Sequence, residues 1–219
     1  MRPADGMKAY YERRAPEFDD WYTGAGLLAG RERPGWEAEL GCLEHVVADL
    51  PAARVLDVGC GTGYLTRHLR GEVVGLDPSP SMLGRARHQA PQARLLCGDA
   101  LALPFADASF ERVFAAHLYG HLLPDERVQF LDEVRWVAPE LVVVDAGTRG
   151  GPPRDEWQDR VLTDGSRHRV YKRSFTGESL AAELGGGRVL HQGHWFVAVL
   201  SPVEVVNVRS RAARDGWGE

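Results

Sequence analysis

Apolar side chains along this chain recur at two spacings, and the switching between them predicts the elements. Ala4–Arg14 reads as an opening helix and the glycine-rich stretch Thr23–Gly30 as irregular chain. Pro34 then opens a helix in which Trp36, Leu40, Leu43, Val47 and Leu50 fall three and four apart, giving one buried face. From residue 54, short apolar runs alternate with amphipathic stretches. Strands are predicted at Arg54–Val58, Glu72–Asp77, Ala93–Cys97, Phe110–Ala116 and Glu140–Asp145, with helices at Gly63–Arg70, Ser81–Gln89 and Asp125–Ala138. That alternation is the mark of βαβ units, and strands so uniformly apolar belong to a mostly parallel sheet with helices on both faces.

After Asp145 the rhythm breaks. Gly147, Gly150, Gly151, Pro152 and Pro153 interrupt it, and the charged stretch Arg154–Phe175 reads as an excursion over the strand ends. A helix at Thr176–Leu184 and a stop at Gly185–Gly187 follow. Two further runs, Arg188–Gln192 and Trp195–Leu200, are separated by Gly193 and His194 and are expected to pair as an antiparallel hairpin. The expected organisation is one domain over residues 1–206, with 1–50 as a helical lid and first helix, 147–175 as a substrate-side insertion, and 207–219 as a polar tail.

Composition narrows the function classes. A chain of 219 residues that is 44% hydrophobic can bury one substantial core. No window approaches the ~18 consecutive apolar residues of a membrane span, and Met1–Gly6 lacks a secretory leader pattern. Cys42, Cys60 and Cys97 are odd in number and lack metal-ligand spacing, so neither a disulfide framework nor a metal site is expected, and a cytoplasmic location is. A net charge of −5 gives no drive toward nucleic acid or an anionic membrane. Nothing in the pattern sets an oligomeric state.

The chemistry concentrates in VLDVGCGTGYL, Val55–Leu65, where an apolar strand runs into Gly59, Gly61 and Gly63. Glycines there let a ligand approach the backbone closely. The loop is not a pyrophosphate fingerprint, because Tyr64 stands where a small residue is needed, and no Walker lysine follows. Asp57 ends the first strand, Asp77 ends the second and Asp99 follows the third. Ligands of open α/β sheets bind at the carboxyl ends of strands, so the three acids should share one crevice, which would repel a polyphosphate. They suit a cationic ligand with ribose hydroxyls and an amino-bearing base: Asp77 for the hydroxyls, Asp99 for the base and Asp57 for an ammonium. S-adenosylmethionine meets that description. Each acid also has a purely structural reading: Asp57 as a strand-terminal acceptor, Asp77 as a turn residue before Pro78, and Asp99 as a cap.

VLDVGCGTG at Val55–Gly63, GLDPSPSML at Gly75–Leu83, GDALALPFADASFERVF at Gly98–Phe114 and HLYGHL at His117–Leu122 together resemble class I S-adenosylmethionine-dependent methyltransferases of the small-molecule type, similar to quinone-biosynthesis methyltransferases. The resemblance covers about Arg54–Leu200. It implies a Rossmann-like seven-stranded sheet in the order 3-2-1-4-5-7-6 with strand 7 antiparallel. It further implies that Gly59, Cys60, Gly61 and Gly63 form the loop around the methionine part and that Asp77 takes the ribose. Pro78 and Met82 would flank the adenosine, Asp99, Ala100 and Leu101 its adenine edge, and His117 would border the cofactor. Tyr10, Tyr11 and Tyr22 match an N-terminal segment that closes over the site.

The implied reaction is methyl transfer to an O, N or C nucleophile of a small molecule by in-line displacement. His117, His121 and Tyr119 are candidate bases, since an imidazole titrates near neutrality. Cys60 reads as a small loop residue rather than a nucleophile. The basic run Arg167, His168, Arg169, Lys172 and Arg173 either holds an acidic substrate or faces solvent beside Asp155, Glu156 and Asp159. Competing readings are a non-enzymatic S-adenosylmethionine-binding protein, a tRNA or rRNA methyltransferase, and a nicotinamide oxidoreductase.

Overall fold

The computed structural model describes residues 3–204, so the expected tail Asn207–Glu219 lies outside the described residues. The chain begins with α1 (Pro3–Arg14), the single turn α2 (Asp20–Thr23) and α3 (Trp36–Ala48). It continues through β1 (Ala53–Val58), β2 (Gly71–Asp77), α4 (Pro80–Gln89), β3 (Arg94–Cys97), β4 (Arg112–Ala116), α5 (Pro124–Val137) and β5 (Glu140–Ala146). Then come β6 (Arg154–Val161), β7 (Arg167–Ser174), α6 (Gly177–Glu183), β8 (Arg188–Gln192) and β9 (Phe196–Pro202).

Seven strands form one sheet in the order β3-β2-β1-β4-β5-β9-β8, with β9 antiparallel to both its neighbours. This is the expected topology once β6 and β7, which pair only with each other, are set aside. The apolar runs dictate it. Successive residues of a strand point to opposite faces, and here Val113, Leu141 and Val143 join Phe130 and Val134 of α5, while Phe114, Val142 and Val144 join Leu40, Leu43 and Val47 of α3. Both faces are dry, which is why these strands carry no polar alternation. Glu39 on α3 fastens the antiparallel edge, accepting hydrogen bonds from the backbone N–H groups of His194, Trp195 and Phe196 at 3.0, 2.8 and 2.7 Å.

Three expectations are corrected and one, the charged excursion, is given its structure. The helix predicted over Gly63–Arg70 is only a 3-10 turn at Thr66–His68. Gly61 and Gly63 sit at φ +55° and +84°, and the few residues left before β2 are too short to nucleate a helix. The charged excursion is an antiparallel hairpin, β6–β7, paired from Arg154↔Ser174 to Val161↔Arg167. Pro34 lies in the turn before α3 rather than in its first turn, and Gly35 is the cap residue. Thr23–Gly30 is not wholly irregular, since α2 reaches Thr23 and a 3-10 turn covers Gly26–Leu28.

Candidate functional site

β1 and β2 end side by side, and their last carboxylates organise the loop above them. Asp77 is 6% exposed; its Oδ2 accepts from the Gly61 N–H at 3.0 Å and its Oδ1 from the Ser79 N–H at 2.9 Å. One carboxylate thus ties the glycine loop to the start of α4. Asp57, deeper still, accepts from the Thr66 hydroxyl at 2.6 Å through Oδ2, while its Oδ1 is inaccessible and has no partner. Desolvation raises Asp57 to about 7 and Asp77 to about 6. For Asp57 the Thr66 bond opposes that rise and the Asp77 charge adds to it. Asp99 is exposed, and its Oδ1 accepts from the Leu101 N–H at 2.9 Å.

A cavity of about 1160 Å³ opens over these strand ends. Gly59, Gly61, Asp77, Pro78, Met82 and Asp99 line it on the sheet side, with Ala100 and Leu101 beside them. Tyr11, His117 and His121 line it further along. A small adjoining recess is bounded by Tyr22, Asp57, Cys60 and Tyr64. Tyr22 stacks on Tyr64 with ring centroids 3.7 Å apart, and burial pushes the Tyr22 hydroxyl well up. Burial likewise pushes the Cys60 thiol far above its ordinary value, which leaves it a poor nucleophile.

Two expected site residues are not brought here. Tyr119 is 2% exposed and packs between Phe130 and Phe175, with ring centroids 6.2 and 5.9 Å away, in the core beneath α5. The 3-10 turn Tyr119–His121 places it on the side opposite the cavity, and burial lifts its hydroxyl to about 12, so it is not a base for this site. Gly63 lines neither space: a Cβ there would lie 3.2 Å from Ala86 and Ala90, so its role is to let the loop rest on α4.

The two histidines differ. His117 follows β4 at φ +55°, a conformation costly for a residue with a Cβ. Its Nε2 is inaccessible and unpartnered, and desolvation lowers it to about 4, so the ring is neutral. His121 is 9% exposed, with Nδ1 2.7 Å from the Tyr171 carbonyl. A carbonyl only accepts, so the proton sits on Nδ1 and Nε2 keeps its lone pair.

Several site features were not read from the sequence. Glu12 of α1 accepts from the hydroxyls of Ser79 and Ser81 and from the Ser81 N–H at 3.3 Å. Asp19 accepts from the Thr62 hydroxyl at 2.6 Å. These bonds fasten the N-terminal segment across the glycine loop. Lys172, 8% exposed on β7, donates to Asp145 Oδ1 at 2.5 Å, and Asp145, fully buried on β5, also accepts from the Gly120 and Ala146 N–H groups, both at 2.7 Å.

Comparison with known proteins matches part of the chain to a family. The methyltransferase-domain model matches residues 55–139, the stretch that carries the glycine loop, Asp77, Asp99, His117 and His121. Residues 55–139 are a methyltransferase domain. Malonyl-[acyl-carrier protein] O-methyltransferase of Halorhodospira halophila is 49% identical over 127 residues, 54% of this chain and 42% of that protein. Demethylmenaquinone methyltransferase of Renibacterium salmoninarum is 36% identical over 112 residues, 50% of this chain and 45% of that protein. The chain therefore spans less than half the length of these curated relatives. Among solved structures, the DhpI–SAM–HEP complex superposes with a TM-score of 0.72 at 26% identity, covering 91% of this chain and 97% of the other.

The superposed DhpI structure is a complex with S-adenosylmethionine, and the residues present here fit that molecule. The unpartnered Asp57 Oδ1 is a buried acceptor awaiting a donor, and the loop is shaped to be approached: a Cβ on Gly61 would fill the space beneath the Phe18 ring, 3.6 Å away. Titration gives the first prediction. Raised carboxyls are protonated in the folded state at a pH where the unfolded chain, near 3.9, has released its protons. Their contribution to stability is therefore present below about pH 4 and is lost as pH rises through about 6 and 7. A ligand bringing an ammonium and hydroxyl donors favours the charged forms and offsets that loss. The rise in melting temperature caused by S-adenosylhomocysteine should be larger at pH 8 than at pH 5, and an equal rise at both would contradict this.

Proposed function

We propose that the protein transfers the methyl group of S-adenosylmethionine to a small-molecule acceptor, with residues 1–206 acting as one unit whose N-terminal segment is the lid. The observation that carries the reading is the joining of two environments in one cavity: a carboxylate-rich end at Asp77 and Asp99, and a second end lined by His117 and His121. When bound, the donor supplies an activated methyl group on a sulfonium that leaves as a neutral thioether. The chain's own work is to bind, align and dehydrate. In this reading Asp77 receives the ribose hydroxyls, Asp99 the adenine edge and Asp57 the ammonium, with Gly59 and Gly61 against the methionine portion. Tyr11, Tyr22, Pro78 and Met82 close around the nucleoside, and Glu12 and Asp19 hold the lid.

Alignment of this kind contributes as much as ~7–11 kcal/mol of barrier lowering, so no universal catalytic residue is required. An acceptor hydroxyl or acidic carbon must lose a proton, and the His121 Nε2 lone pair is the base offered. An amine or a carboxylate needs none. Names of the relatives, an O-methyltransferase and a quinone-precursor methyltransferase among them, favour a small molecule or a carrier-borne acyl group over nucleic acid. A reducing cytoplasm suits the exposed Cys42 and Cys97 thiols. Among the described residues no helix is long and apolar enough to cross a membrane.

The test is turnover. Incubation with S-adenosylmethionine and a panel of acids, phenols and amines should release S-adenosylhomocysteine, which a non-catalytic binder would not do. With a hydroxyl acceptor, His121→Asn should lower kcat by roughly 10²–10⁴-fold. Unaltered turnover would remove His121 from the chemistry, and the same outcome in His117→Ala with unchanged donor affinity would remove His117.

A further inference from the structure

The wall of the cavity away from the acids is built from α1 and the β6–β7 hairpin, and it is cationic in a chain that is acidic overall. Arg14, Arg160 and Lys172 all line it. The three are close enough that Arg160 and Arg14 both act electrostatically on Lys172 and on His121. Lys172 has its counter-charge in Asp145. The two arginines do not: among the described residues neither is ion-paired to a carboxylate. Arg160 is held by neutral groups, donating through Nε and Nη2 to the Gln158 carbonyl at 3.2 and 2.6 Å, with Nη1 3.4 Å from the Tyr10 hydroxyl. The Arg14 guanidinium lies over the Phe18 ring, 4.9 Å from its centroid, and 5.6 Å from that of Tyr10.

Two unpaired guanidinium groups gathered on one part-buried wall repel each other and lose hydration. An anion reverses both effects, because a guanidinium fork matches the paired oxygens of a carboxylate or phosphoryl group, and Arg160 is already oriented by its side-chain partners. Resting on the methyl-transfer reading for its occupant, we infer that the acceptor carries an oxyanion, carboxylate or phosphoryl, seated between Arg160, Arg14 and Lys172. The competing occupant is the carboxylate of the donor's own methionine portion, since α1 also crosses the glycine loop.

The full chain saturated with S-adenosylhomocysteine is titrated calorimetrically with malonate, inorganic phosphate and neutral malonamide, and the same titrations are run without the nucleoside. Malonate or phosphate should bind saturably with malonamide silent, and whichever anion binds tells carboxylate from phosphoryl. Arg160→Gln should weaken that binding at least about tenfold while S-adenosylhomocysteine affinity stays within about twofold, and Arg160→Lys should restore part of it. Arg14→Gln, checked by circular dichroism, supplies a second variant should Arg160→Gln misfold. Malonamide binding as well as malonate, failure of both anions, or displacement of the anion by S-adenosylhomocysteine would overturn the subsite. If the nucleoside fails to bind while the anion still binds through Arg160, the methyl-donor reading falls and the subsite stands.

Discussion

Replacing Asp77 by alanine should weaken S-adenosylhomocysteine binding by roughly 100- to 1000-fold. Two charge-assisted hydrogen bonds to a ribose diol, at about 1.5–2 kcal/mol each, sum to about 3–4 kcal/mol, and each 1.4 kcal/mol is a factor of ten. The same carboxylate holds the Gly61 and Ser79 N–H groups, so its removal also loosens the loop that the ligand must meet. Asp77→Asn separates the two contributions: it keeps one acceptor oxygen, loses the charge, and should fall between wild type and alanine. Calorimetry on a variant with an unchanged circular dichroism spectrum reads the effect. Wild-type affinity in Asp77→Ala would remove the residue from the site.

The second large effect is on stability. Asp145 is fully buried and Lys172 is its only cationic partner among the described residues. Lys172→Met leaves a carboxylate in the interior with two backbone donors and no counter-charge, a loss of about 3–5 kcal/mol. At this chain length each kcal/mol moves the melting temperature by about 2–4 °C, so a fall on the order of 10 °C is expected. Adding Asp145→Asn removes the stranded charge and should recover most of that fall. A melting temperature within about 2 °C of wild type in Lys172→Met would show the pair to be solvated.

The sheet was legible in the sequence because its central strands are dry on both faces, so that strand-sized apolar runs such as Leu141–Val144 alternate with longer amphipathic stretches. The carboxylates of Asp57, Asp77 and Asp99 were legible for a topological reason: each closes or follows a strand, and parallel strands deliver their ends to one rim. Local breakers were harder to weigh. Gly61 and Gly63 were read as ligand-facing, yet their positive φ angles also abolish the helix expected after them. Tyr119 lies between two cavity-lining histidines in sequence, but the tight turn there sends it into the core. The β6–β7 hairpin escaped because β6 has no buried position: its half-buried side chains Glu156, Gln158 and Arg160 are polar while Trp157 and Val161 are exposed, a pattern that resembles a solvated loop. Arg14 and Arg160 meet only through the fold, and no spacing rule joins α1 to a hairpin so distant along the chain.

That hairpin has a consequence of its own. β6 and β7 hydrogen-bond to each other and join the main sheet through the Phe175 N–H, which donates to the Ala146 carbonyl at 2.9 Å, and through the Lys172–Asp145 ion pair. None of the seven strands depends on them for register. In the proposed reading, donor and acceptor contacts sit on different pieces of polypeptide that one buried ion pair holds together. A transplanted hairpin would therefore have to bring its own cation to the Lys172 position, or leave the buried Asp145 carboxylate of the nucleoside-binding sheet without a counter-charge.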